Sequence, residues 1–184
     1  MKTLNSLAEE IRRCTSCHLW KKRLLAVPGE GPINSKLMFI GEAPGNEEDR
    51  LGLPFKGKSK IFFEQMLKLA NINRKKVFIT NSVKCHPPNN RNPTVLELKT
   101  CKKLWLNDQI DVIKPQLVIL LGGVAFKSLI KDGKISEMHG KLIEKDGQKY
   151  FVTYHPSAGT RFPSIREKIE SDFIKLKEIV KGLK

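Results

Sequence analysis

A chain of 184 residues, 40% of them hydrophobic, is long enough to bury a real core and has the size of one α/β domain. Lys and Arg outnumber Asp and Glu by 34 to 19, a formal net charge of +15. That excess points to a polyanionic partner, with nucleic acid first and a merely cationic, thermophile-like coat as the bland alternative. No apolar run approaches the ~20 residues of a membrane span, and the N-terminus lacks a signal-peptide core. A soluble intracellular protein without a membrane partner is therefore expected. Thiols stay reduced there, so the four cysteines read as metal ligands rather than disulfides.

Residues 4–13 predict a short amphipathic helix, with Leu4, Leu7, Ala8 and Ile11 on one face. It ends at Cys14-Thr15-Ser16-Cys17. Residues 36–40 predict the first strand. Helical spacing follows over 58–71, then a second strand at 77–81 and a stiff polar loop, Lys84-Cys85-His86-Pro87-Pro88 onward. Thr94 and Glu97 form a capping-box pattern ahead of a helix over 95–113, with Cys101 inside it. Residues 117–121 are continuously apolar, as in a parallel strand covered on both faces. A short helix over 124–131 comes next. Asp146-Gly147 marks a hairpin, and its second arm, 150–154, predicts the fourth core strand. Residues 164–183 predict a closing helix. Strands alternating with helices imply one three-layer α/β/α sandwich over residues 1–184, with a central four-stranded parallel sheet.

The chain is organised around Gly41-Glu42-Ala43-Pro44-Gly45-Asn46-Glu47-Glu48-Asp49, directly after the first strand. Glycine and proline break the strand, and three carboxylates follow in an otherwise basic chain. A loop at the carboxyl end of a parallel strand is where open α/β sheets place ligands. Asn81 and His155 end the second and fourth strands, so Glu42, Asn81 and His155 are expected at one cleft.

Two residues separate Cys14 from Cys17, and fifteen separate Cys85 from Cys101. Four thiolates suit tetrahedral zinc or an iron–sulfur cluster. The wide second pair departs from two zinc knuckles and leans toward a [4Fe–4S] cluster. Gly52-Leu53-Pro54-Phe55-Lys56-Gly57-Lys58-Ser59 matches the phosphate loop of nucleotide hydrolases. That motif needs a strand running directly into it, and the preceding strand ends at Ile40, so the match reads as chance.

With these pieces placed, the sequence resembles the family 4, thermostable iron–sulfur uracil-DNA glycosylases over nearly its whole length. The resemblance rests on Gly41-Glu42-Ala43-Pro44-Gly45 with its trailing acids, Pro54-Phe55, Thr80-Asn81-Ser82-Val83-Lys84-Cys85, Asn90-Arg91-Asn92-Pro93, the cysteines, and His155-Pro156-Ser157. It implies a [4Fe–4S] cluster on Cys14, Cys17, Cys85 and Cys101. It also implies a monomer acting on uracil-containing DNA, single- or double-stranded, as a base excision repair enzyme. Such an enzyme flips the nucleotide into a pocket. Phe55 would stack on the uracil, and Gly41 and Ala43 would line the site. The Asn81 amide would accept from N3–H and donate to O4, a pattern that cytosine inverts. His155 would donate to O2 and stabilise the departing anion. Glu42 would orient or activate the water, Glu48 would shape the pocket against thymine's methyl, and Asn90 would lie near the sugar–phosphate.

One departure stands out. Where the family carries bulky apolar residues that wedge into the vacated stack, this chain reads Ala158-Gly159-Thr160-Arg161-Phe162. Arg161 and Phe162 are the candidates in their place. The rival readings are a non-catalytic uracil- or single-stranded-DNA-binding protein of the same fold, and a nucleotide hydrolase using the Gly52–Ser59 match.

Overall fold

The computed structural model describes residues 2–130 and 133–183. The continuous apolar runs become β1 (Leu37–Gly41), β2 (Phe78–Asn81) and β3 (Leu117–Leu121), fully buried along their lengths. β4 (Leu142–Lys145) and β5 (Gln148–Thr153) are the arms of the hairpin. The sheet order is β2-β1-β3-β5-β4. The first four of these are mutually parallel, and β4 runs antiparallel to β5.

The sheet thus has five strands rather than the expected four, because the first hairpin arm pairs as well. Asp146 and Gly147 both take positive φ, at 51° and 76°, the geometry of a tight two-residue hairpin turn. This forces Lys145 opposite Gln148. β4 is only half covered and shields the backbone edge of β5, a common way to blunt an exposed edge.

Side chains alternate across the sheet. Leu37, Phe39, Ile79, Leu117, Ile119, Leu121 and Phe151 face one buried cluster. Met38, Ile40, Phe78, Val118, Leu120, Tyr150 and Val152 face another. The helices, in chain order, are α1 (Leu4–Arg13), α2 (Asn46–Leu51), α3 (Lys60–Leu69), α4 (Val95–Cys101), α5 (Asn107–Ile113), α6 (Gly123–Leu129), α7 (Ile135–Met138), α8 (Pro156–Gly159) and α9 (Pro163–Lys181). α3 and α9 cover the first face, through Phe62, Phe63, Met66, Ile169, Phe173 and Leu176. α5 and α6 cover the second, through Ile113, Ala125, Phe126 and Leu129. The three layers follow from this division. The helix expected over 124–131 ends at Leu129, and residue 131 lies outside the described residues.

The helix expected over 95–113 is continuous but not uniform. Between α4 and α5, Lys102–Leu106 widen into a π-helical segment, a feature that often accompanies functional sites. Here it directly follows Cys101 and carries Trp105. The Thr94–Glu97 capping box forms as read: Thr94 Oγ1 accepts from Glu97 N–H (3.3 Å) and the Glu97 carboxylate accepts from Thr94 N–H (2.7 Å). Arg91 then clamps Glu97 with two bonds of 2.7 and 2.8 Å.

Candidate active site and cysteine centre

Parallel pairing aligns the strand ends. Gly41 pairs with Asn81, Ile40 with Leu120, and Leu121 with Thr153. The loops carrying Glu42, Asn81 and His155 therefore leave the same edge of the sheet. The first two are stitched together: Ser82 N–H and Oγ–H both donate to the Gly41 carbonyl at 2.9 Å, and Val83 N–H donates to the Glu42 carbonyl at 3.3 Å.

Gly41 is a matter of space. A Cβ there would run into Asn81 Oδ1 and lie 3.1 Å from Phe55 Cζ. Asn81 is 2% exposed. Its carbonyl is held by Lys84 Nζ at 2.9 Å, yet among the described residues no hydrogen bond engages its side-chain amide. Those amide atoms are not fully buried, so this otherwise buried residue keeps its amide in contact with the space at the sheet edge. Glu42 is half-buried, and burial raises the pKa of its carboxyl. Ala43 packs on the cluster that contains the cysteines.

The three acids after Gly45 have different fates. Glu47 is solvated beside Arg50 (2.7 Å), and Asp49 accepts Leu24 N–H through both oxygens (3.1 and 3.0 Å). Glu48 is buried and accepts from the N–H groups of Gly45 (3.1 Å), Lys56 (2.9 Å) and Gly57 (2.8 Å). This staple holds the loop that presents Phe55. Phe55 itself sits at φ 51°, a left-handed conformation that costs a bulky residue on the order of 1–3 kcal/mol and persists only where surroundings impose it. Two amides of the phosphate-loop match thus already bind Glu48, which argues against their cradling a phosphate. Phe55 packs on Phe63 (centroids 4.4 Å apart) and stacks on His155 (5.6 Å, 25° between planes).

His155 caps α8. Ser157 N–H donates to its Nδ1 at 3.1 Å, and Ser157 Oγ lies 2.8 Å from the same nitrogen. A neutral ring whose Nδ1 accepts carries its proton on Nε2, an assignment made from these bonds. Burial, followed by neighbouring Arg161, pushes the pKa down to about 4, against a smaller opposing effect of Glu48. Gly122, at φ 96°, makes room: a Cβ there would lie 3.0 Å from His155 Cβ. Asn90 stands exposed at the mouth, its Oδ1 3.1 Å from His86 Nε2 and facing Gly45. Gly159 packs so closely on Phe62 that a Cβ would lie 2.5 Å from Phe62 Cε1. No wedge side chain fits at that position. The exposed apolar group of this segment is Phe162, 55% exposed at the start of α9.

All four cysteines meet in a separate small core with Leu7, Ile11, Leu19 and Trp105. They line one cavity, together with Lys84. An N–H group is aimed at a sulfur: the Arg23 guanidinium donates to Cys85 Sγ (3.0 Å). Thiols are weak acceptors, so such a donor suits a thiolate. Burial by itself raises the pKa of Cys17 and Cys85 and carries that of Cys101 up to about 12. Among the described residues, no three His, Cys, Asp or Glu side chains gather tightly enough to hold a single ion.

Two groups here escape sequence reading. Lys84 is 1% exposed, and burial lowers its pKa to about 8. Asp172 of α9 is fully buried, accepting from Thr153 Oγ1 (2.8 Å) and from His139 Nδ1 (3.1 Å). The His139 ring packs on Tyr154 at 4.8 Å, so this trio buttresses the strand end that carries His155. A Lys inside a motif next to Cys85 was the one available signal for the first; nothing local marks the second.

An amide with no partner among the described residues, two stacked rings and an imidazole with its Nδ1 occupied thus gather at the carboxyl edge of a parallel sheet. The chain belongs to the uracil DNA glycosylase superfamily, whose family model matches residues 28–177. It falls in the type-4 family: it is 42% identical to the type-4 uracil-DNA glycosylase of Saccharolobus solfataricus, an alignment covering 97% of this chain and 87% of the relative. It is similarly 39% identical to that of Sulfurisphaera tokodaii (97% and 86% covered) and 37% identical to that of Archaeoglobus fulgidus (97% and 94%).

Proposed function

We propose that this glycosylase opens base excision repair by hydrolysing the N-glycosidic bond of uracil in DNA, with Asn81 reading the base and Glu42 and His155 serving the chemistry. The observation that carries the assignment is the open Asn81 amide beside Phe55 and His155. Asn81 accepts from uracil N3–H and donates to O4. Phe55 supplies the stacking face, and Glu48 acts on the pocket through the loop it staples rather than as its wall. As the C1′–N1 bond breaks, its electron pair goes to uracil, and His155 Nε2–H steadies the charge at O2. Water adds to C1′, and Glu42, whose burial favours proton uptake, orients that water and takes its proton. Gly41 and Ala43 shape the entry, and Asn90 meets the extruded nucleotide's backbone. Phe162 fills the gap left in the stack. The charge of +15 fits a chain that binds phosphates inside the cell, and residues 1–184 act as one domain and as a monomer.

Uracil release from a uracil-containing oligonucleotide is expected to proceed fully in EDTA. Binding without release would favour the non-catalytic reading, and magnesium-dependent nucleotide hydrolysis would favour the third.

Cys14, Cys17, Cys85 and Cys101 are proposed to hold a [4Fe–4S] cluster. A single zinc needs sulfurs about 3.8 Å apart around one point. Four sulfurs lining one cavity, with the Arg23 guanidinium donating to one of them, suit a larger group. Its contribution is structural: it ties the segment after α1 to α4 and to the loop after β2. The purified protein is expected to be brown. Cys101→Ala should bleach it and lower its melting temperature, with a smaller effect on excision per folded molecule. A colourless protein prepared without air and carrying stoichiometric zinc would remove the cluster from this scheme.

A further inference from the structure

A cluster of charged groups lies behind Phe55. Arg74 sits on the short 3-10 turn between α3 and β2. Its Nε and Nη2 both donate to Glu30 Oε1, at 3.1 and 2.8 Å, and Lys56 Nζ stands 3.3 Å from Glu30 Oε2. Nη2 makes a second bond, to the Pro54 carbonyl at 2.9 Å. The same guanidinium lies over the Phe63 ring, 5.8 Å from its centroid. Glu30 is fixed in its turn. Its N–H donates to the Ile79 carbonyl (2.9 Å) and its carbonyl accepts from Ile79 N–H (2.8 Å). Ile79 lies on β2, two residues before Asn81.

The bond to Pro54 acts on Phe55. The φ of a residue is set by the peptide plane before it, and ψ by the plane after it. The plane before Phe55 carries the Pro54 carbonyl, held by Arg74, and the plane after it carries Lys56 N–H, held by Glu48 at 2.9 Å. These two anchors impose φ 51°, a conformation that a bulky residue leaves once its surroundings relax. The Phe55 ring rests on Phe63 at 4.4 Å. Arg74 therefore grips the peptide that orients Phe55 and backs the ring that supports it.

We propose that Arg74, anchored by Glu30, is a positioning residue that holds Phe55 in its left-handed conformation and so fixes the base-stacking ring relative to Asn81. The inference rests on the reading of Phe55 as the stacking face. A planar guanidinium suits the task, because one fork meets a carboxylate and a carbonyl while its face lies on a ring. The route from β2 through Glu30 and Arg74 to Pro54 ties the stacking ring to the strand that ends in the base-reading amide.

The test is a double-mutant cycle between Arg74→Met and Phe55→Ala. It is read as single-turnover uracil excision from a single-stranded oligonucleotide, with protein in saturating excess and well below its melting temperature. Arg74→Met alone is expected to slow excision on the order of 10–10²-fold, the scale on which small displacements of positioned groups act. In the Phe55→Ala background the same change should cost less than about twofold, since a residue that acts through a ring has no effect once the ring is gone. Glu30→Gln keeps the Oε1 acceptor but removes the charge. It should give a smaller loss that likewise vanishes without Phe55, and it carries the test if Arg74→Met folds poorly.

Losses that multiply in the double variants overturn the proposal, because Arg74 would then act on the fold or on β2 independently of Phe55. So do unaltered excision rates in both Arg74→Met and Glu30→Gln. A defect that disappears at saturating protein, matched by weaker binding of a cytosine twin of the oligonucleotide, also overturns it and makes Arg74 a phosphate contact. If Phe55→Ala itself leaves excision untouched, it is the stacking assignment that falls.

Discussion

Replacing His155 with alanine is expected to slow single-turnover uracil excision by on the order of 10²–10³-fold, the size typical of removing one preorganised donor to a developing oxyanion. The donor is neutral. Ser157 N–H occupies Nδ1, so forming an imidazolium would set two N–H groups against each other. With the pKa held down to about 4, the ring stays in its Nε2–H form at neutral pH. The rate of the unaltered protein should therefore show no step at the ordinary imidazole value of about 6.5. Loss at lower pH should come first from Glu42, whose carboxyl is pushed up by burial and must be ionised to take a proton. That limb should persist in His155→Ala. Stability carries the same signature. Between about 6.5 and about 4 the unfolded chain binds a proton that the folded ring refuses, so the His155 contribution is neutral above that window and increasingly destabilising as pH falls through it, by at most roughly 3 kcal/mol. Thermal melts of His155→Asn should fall less between pH 7 and pH 4.5 than those of the unaltered protein. Equal falls in the two would mean that the ring titrates normally and that Ser157 does not hold its tautomer.

The parts of this molecule legible in the sequence are those in which local pattern and tertiary role agree. Leu117–Leu121 is apolar at every position because both faces are covered, and that reads directly as a central strand. The glycine-bounded loop after β1, Asn81 and His155 could be placed together because parallel strands align their carboxyl ends. What stayed hidden depends on partners distant in the chain. β4 is legible only as the first arm of a hairpin; Leu142 is half exposed, and it is pairing with β5 that adds this arm to the sheet as a fifth strand. Glu48 looks like a pocket wall until the turn at Phe55 brings the Lys56 and Gly57 amides onto it, and an aromatic residue gives no hint of positive φ. The π-helical turn after Cys101 carries no Gly or Pro to announce it. Lys84 contradicts the strong prior that lysine stays at the surface, and its burial becomes intelligible only once Gln109, 25 residues on, joins Thr80 and the Asn81 carbonyl as its acceptors.

Asn81→Asp is expected to redirect base choice. The amide presents one donor and one acceptor to uracil, whereas an ionised carboxylate presents acceptors alone. Uracil N3–H can still be met by one oxygen, but the second then opposes O4, and that contact turns repulsive. Gly41 lies against the Asn81 side-chain oxygen, and the Asn81 carbonyl is held by Lys84 at 2.9 Å, so the backbone that carries the new carboxylate stays in place. The loss for uracil should be about 2–5 kcal/mol, the range for a buried polar partner left unpaired or opposed by charge. Cytosine offers N4–H₂ where uracil offers O4, which supplies the donor the second oxygen lacks. Its N3 is an acceptor and would face the other oxygen, so a proton must sit between them, on the carboxyl or on the base. Weak cytosine excision should therefore appear and grow as pH falls, against a falling background of uracil excision. Single-turnover rates on matched oligonucleotides carrying U or C at one position, measured across pH, decide the matter. Uracil rates unchanged by Asn81→Asp would show that the amide does not read the base, and the pocket would have to be sought elsewhere along the sheet edge.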